Sequence, residues 1–117
     1  MMHQVSRTLT KSVIGCAMRV HSVLGPGLLE SVYEACLAFE LEREGMSVER
    51  QVAVPVTYRD TRVECGFRID LLVDQVLILE LKAVEQIAPI HLAQVMTYLR
   101  VTGLQLALLM NFNVVHM

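Results

Sequence analysis

A chain of 117 residues has room for one domain with a core of its own, and a single domain over residues 1–117 is expected. Apolar residues make up 54% of it and charged residues 19%, a surplus of hydrophobes that points to a subunit or partner interface. The net charge is −2 with ten scattered Lys and Arg, so no basic patch supports tight autonomous binding to nucleic acid, and no apolar run reaches the ~18–20 residues of a membrane helix. The first ten residues, MMHQVSRTLT, lack the apolar stretch of a secretory signal, so a cytoplasmic protein is expected. Cys16, Cys36 and Cys65 are widely spaced among apolar neighbours and read as buried reduced thiols.

Val5, Leu9, Val13, Cys16, Val20 and Leu24 recur at spacings of three and four and predict an amphipathic helix, ended by Gly25-Pro26-Gly27. A second helix over about residues 28–44 is expected to bury Leu29, Val32, Tyr33, Cys36, Leu37 and Leu41 and to stop at Gly45. The period then changes to two. Val52, Val54, Val56 and Tyr58 predict a strand, with Pro55 restricting it to a sheet edge or a bulge. After a turn near Asp60-Thr61, a second strand points Val63, Cys65, Phe67, Ile69 and Leu71 one way, and Arg62, Glu64, Gly66, Arg68 and Asp70 the other. A third strand over about 76–84, a helix opened by Pro89 and stopped at Gly103, and a buried strand over 104–110 complete the chain. Strand, helix and strand in that order imply a parallel pair, so the fold class expected is α/β with a mixed sheet.

The third strand reads Leu77-Ile78-Leu79-Glu80-Leu81-Lys82, which puts Glu80 and Lys82 on one face amid aliphatic residues. Such charges are costly unless paired or bound to a metal. Setting Val73 opposite Leu77 places Asp70 directly across from Glu80, while a slip of one residue sends the two to opposite faces. The apolar pattern favours the first register, which stacks Ile69 and Leu71 with Leu79 and Leu81 and requires a three-residue loop or a bulge. Opposed carboxylates repel unless a proton or cation lies between them, and a hard divalent ion such as Mg²⁺ suits oxygen ligands. Lys82 could then orient an attacking water or offset developing charge. Taken alone, the cluster is equally compatible with a solvated edge carrying a Glu–Lys ion pair.

On the helix from Pro89, the polar residues His91, Gln94 and Tyr98 form one stripe on an otherwise apolar surface. Gln94 and Tyr98 are assigned to the site and His91 to a solvent-facing seam. Glu30 suits the first turn of its helix whatever its role, and His21 is open between core packing and a place at the site. Arg68, on the face of its strand that carries Asp70, is a candidate for substrate binding or support.

Together these residues resemble the GxxExxY family, a RecB-like branch of the PD-(D/E)XK nuclease superfamily. The naming motif reads Gly27-Leu28-Leu29-Glu30-Ser31-Val32-Tyr33, the nuclease signature Asp70, nine residues, then Glu80-Leu81-Lys82, and the Q-x-x-x-Y motif Gln94-Val95-Met96-Thr97-Tyr98. The segment from Thr102-Gly103 to Asn111-Phe112-Asn113-Val114 is also similar. Ile69 departs from the Pro that names the superfamily. The resemblance implies a restriction-endonuclease-like α-β-β-β-α-β core behind an extra N-terminal helix. It implies Asp70 and Glu80 as metal ligands, Glu30 as a further acidic ligand, Lys82 assisting the attacking water, Gln94 supporting the site and Tyr98 packing beside it.

The resulting expectation is Mg²⁺- or Mn²⁺-dependent hydrolysis of nucleic-acid phosphodiester bonds, DNA ahead of RNA, by a homodimer or with a protein partner. The rival is a non-catalytic nuclease-fold module that binds nucleic acid or protein.

Overall fold

The computed structural model describes residues 2–64 and 66–115, and the side chains of 7–64 and 66–115. The side chain of Val5 and the whole of Cys65 lie outside the described residues. Helix α1 (Met2–Leu24) buries Val13, Cys16 and Val20, as their spacing predicts, together with Ala17, while Leu9 and Leu24 are half-buried. It ends where Gly25, with a left-handed φ of 70°, donates its N–H to the His21 carbonyl at 2.8 Å.

Helix α2 (Glu30–Arg43) buries Tyr33, Leu37 and Leu41, but Leu29 and Val32 are exposed, against expectation. Leu29 stands ahead of the helix as its N-cap, and Val32 lies off the line of Tyr33, Leu37 and Leu41 that packs with α1 and the sheet. Tyr33 explains the end of the glycine motif. Its ring stacks on Phe112 at 4.7 Å, while its hydroxyl donates to Gly25 O (2.6 Å) and accepts from Leu28 N–H (3.1 Å), stapling the turn between the helices. Tyr33→Phe leaves both groups without that partner, and a loss of about 1–2 kcal/mol in urea unfolding is expected.

Strands β1 (Val48–Ala53), β4 (Arg68–Val73), β5 (Leu77–Lys82) and β6 (Leu106–Asn111) form one sheet in the order β1-β4-β5-β6. The first two pairings are antiparallel and β5–β6 is parallel, joined by α3 (Pro89–Thr102), which stops at the left-handed Gly103 (φ 76°). The sheet is therefore mixed, with α1 and α2 over one face and α3 over the other. Between β1 and β4 the chain forms a separate hairpin, β2 (Val56–Tyr58) and β3 (Thr61–Val63), turned by Arg59 and Asp60, both at positive φ. Two long strands were expected here. The strand ahead of Pro55, β1, does lie at a sheet edge, but it ends at Ala53 and does not run through the proline, which cannot donate to a ladder.

The decisive register is as expected. Val73 pairs with Leu77, Leu72 with Ile78 and Leu71 with Leu79, around a three-residue loop of Asp74, Gln75 and Val76. Asp74 fastens that loop by accepting from Ser47 N–H and donating its own N–H to Ser47 O, both at 2.8 Å. Leu71, Val73, Leu77, Leu79 and Leu81 pack under α1 and α2, whereas Leu72 and Ile78 pack with Tyr98 of α3. Ile69 joins the α3 cluster, not the Leu71 side as the alternation predicts. The reason lies across the ladder: Gln51 of β1 has a left-handed φ of 52°, which interrupts the pleat, and Val52 and Ile69 emerge beyond it on the opposite face.

Candidate functional site

The sheet opens at Asp70 and Glu80. Regular β4–β5 pairing stops at Leu71–Leu79, and side chains replace the ladder beyond it. Asp70 N–H donates to Glu80 Oε1 at 2.9 Å, and Leu81 N–H donates to Asp70 Oδ2 at 2.8 Å. Each carboxylate is thus aimed by the other's strand, so the pair is held by backbone and not by flexible stems. Glu80 is only 3% exposed, amid the aliphatic side chains that made its strand conspicuous in the sequence.

This setting shifts the acid. Burial pushes the Glu80 carboxyl up from an ordinary value of 4.5 to about 8. The Asp70 N–H bond and the charge of Lys82 oppose the rise, while repulsion by Asp70 adds to it. At neutral pH the cluster therefore retains a proton where a cation would serve as well. Lys82 follows two residues along β5 and is half-buried, with its field acting on Glu80.

Two carboxyl groups are held side by side, one of them kept protonated by burial and by its neighbour's charge, and every donor atom is a hard oxygen. They fit a divalent ion of the Mg²⁺ type. Among the described residues no three His, Cys, Asp or Glu side chains converge. An ion held by one or two carboxylates, with water and substrate oxygens completing its shell, is the usual arrangement for Mg²⁺.

The other residues singled out in the sequence are placed as follows. Gln94 is half-buried one turn before Tyr98 on α3 and makes no hydrogen bond to the pair. Tyr98 is buried, donates its hydroxyl to Arg68 O at 3.1 Å and meets Phe67 edge-on at 6.0 Å. Arg68 contributes that carbonyl, while its side chain is exposed. Glu30 is exposed in the first turn of α2, one turn before Glu34, and forms no hydrogen bond with the pair. His21 is buried on α1, where Nε2–H donates to Val114 O at 2.6 Å and the ring tilts against Phe112. His91 caps its own helix, its Nδ1 accepting Ala88 N–H at 3.0 Å.

Three polar residues next to the pair escaped the sequence reading. Glu34 is buried on α2, with Oε2 accepting Arg50 Nε (3.1 Å) and a terminal guanidinium nitrogen (3.0 Å). Its Oε1 accepts Gln51 Nε2 at 2.6 Å, and the same nitrogen lies 3.3 Å from Asp70 Oδ1. A signal for Glu34 existed, since it sits between Tyr33 and Leu37 on the buried stripe of α2. Gln51 and Arg50 carry none, being ordinary polar residues of an edge strand.

Among the described residues no helix is long and apolar enough to cross a membrane. No curated protein and no solved structure matches the chain. The model of one family, described as the PD-(D/E)XK nuclease superfamily, matches residues 7–117, a span containing the opposed acids, the lysine beyond them and the mixed sheet that carries all three. With nearly its full length matched, the chain belongs to the PD-(D/E)XK nuclease superfamily.

Proposed function

We propose that the protein is a Mg²⁺-dependent phosphodiesterase that hydrolyses nucleic acid, DNA in preference to RNA, and that it represents the GxxExxY, RecB-like branch. The observation that carries the reading is the opening of the β4–β5 ladder around Asp70 and Glu80, with Lys82 on the same strand. Asp70 and Glu80 would hold the ion, and Glu30 is assigned as an outer acidic member acting once substrate and water are in place. When bound, Mg²⁺ would supply Lewis-acid stabilisation of the phosphoryl group and lower the pKa of a nearby water. Lys82 would orient that water and offset the negative charge that grows on the phosphoryl oxygens. Gln94 and Tyr98 would brace the site from α3, Arg68 would reach towards the backbone of the substrate, and His21 would act indirectly through the C-terminal segment it holds.

The test is cleavage of single- and double-stranded DNA and RNA with and without Mg²⁺, using Lys82→Ala as the control. Cleavage of DNA that needs the metal and falls by about a hundredfold or more in the variant is expected. Undiminished cleavage by the variant would refute the assignment.

A second reading, a non-catalytic module docking on a partner, is favoured by the exposed apolar side chains of Ile90, Leu92 and Met96 on α3 and by the net charge of −2. A Mn²⁺ titration separates the two, since a module that only docks has no need of the ion.

A further inference from the structure

Gln51 is the one residue of β1 with a left-handed backbone, φ 52°, and it is neither a glycine nor an asparagine. A strained conformation inside a strand persists only where its surroundings hold it, and such residues concentrate at functional sites. The twist falls opposite Asp70, where the β1–β4 pairing omits a step between Arg50–Leu71 and Val52–Ile69. Its consequence is to bring the Gln51 amide between two carboxylates, 2.6 Å from Glu34 Oε1 and 3.3 Å from Asp70 Oδ1.

Glu34 is not free to move in response. Arg50 holds its other oxygen with two nitrogens, and the residue is buried. A continuous line of hydrogen bonds therefore runs from Arg50 through Glu34 and Gln51 to Asp70, and on to Leu81 N–H, between Glu80 and Lys82. With Gln51 on Oδ1 and Leu81 on Oδ2, rotation of the Asp70 carboxylate is blocked at both oxygens.

We infer that Gln51, anchored by Glu34 and Arg50, is a positioning residue that fixes the Asp70 carboxylate for the divalent ion. This rests on the reading of Asp70 and Glu80 as the metal pair and extends it to an arm from β1 and α2 that touches neither metal nor substrate. Partners of this kind are worth about ten- to a hundredfold in metal affinity.

The experiment measures Mn²⁺ binding by calorimetry on the full chain, with urea unfolding in parallel. Gln51→Asn is the informative variant, because Asn accepts a left-handed backbone readily but its amide is one carbon short of the bridge. Mn²⁺ affinity should fall about tenfold, as in Gln51→Leu, while urea unfolding shows Gln51→Asn still folded, its midpoint lowered only modestly because Glu34 Oε1 gives up its amide partner and Arg50 keeps Oε2. Mn²⁺ affinity in Gln51→Asn equal to the parent's would overturn the inference. A second measurement needs no variant: on Mg²⁺ titration the Gln51 side-chain amide resonances should shift together with the Leu81 backbone N–H. Movement of Leu81 with Gln51 unmoved would also overturn it. Asp70→Asn keeps the two claims apart. Loss of binding there with none in Gln51→Asn rejects the positioning role alone, whereas absence of Mn²⁺ binding in the parent protein removes the metal reading and this inference with it.

Discussion

Glu80→Gln is expected to lower Mg²⁺-dependent cleavage by about a thousandfold while leaving the metal-free protein folded and, above pH 8, more stable than its parent. The two effects have one cause. Glu80 is almost wholly buried, its Oε1 accepts the Asp70 N–H, and its carboxyl is pushed up to about 8 by lost hydration. A glutamine keeps the shape and the accepting oxygen but cannot carry charge, so it removes the repulsion with Asp70 and the attraction for a cation together. Cleavage rates and Mn²⁺ calorimetry report the loss, and urea unfolding at pH 8.5 reports the gain. A variant that cleaves at the parent's rate, or that is destabilised at that pH, would contradict the account.

The stability of the metal-free protein is expected to fall as pH rises from about 4.5 to about 8, by a few kcal/mol in all. In the unfolded chain Glu80 loses its proton near 4.5, whereas in the fold it keeps the proton until about 8. Between those values the folded state binds the extra proton, so raising the pH favours unfolding, with a slope approaching about 1.4 kcal/mol per pH unit for this group. Below 4.5 both states are protonated and above 8 both are ionised, so the contribution of this group is flat outside the window. Divalent metal should reverse the trend, since it competes with the proton and its apparent affinity rises with pH up to about 8. Urea unfolding across pH 5–9, with EDTA and with Mg²⁺, checks both slopes. Glu80→Gln should abolish this component of the pH dependence, and a slope unchanged in that variant would assign it to other groups.

Much of the arrangement that brings Asp70 and Glu80 together was legible in residue order. Leu71, Leu79 and Leu81 alternate with the charged positions, and a slip of one residue would have set Leu79 and Leu81 on the face opposite Leu71, so the shared apolar face selected the register. Helix ends at Gly25 and Gly103 were equally plain, because the backbone there turns left-handed and glycine does so without a steric penalty. The face that α2 buries was less so. Leu29 and Val32 are as apolar as Leu37, but Leu29 stands ahead of the helix as its N-cap and Val32 lies off the line of Tyr33, Leu37 and Leu41 that packs with α1 and the sheet.

Local sequence thus specified the periods, the stops and the pairing of β4 with β5, since these depend on near neighbours and on which side of a strand or helix is greasy. It could not specify the left-handed turn of Gln51, the reversal of Ile69 to the α3 face, or the burial of Glu34 under Arg50. Those depend on residues distant in the chain meeting across β1, β4 and α2, and their energies exist only once the sheet has closed. No propensity of a lone glutamine or glutamate contains that information.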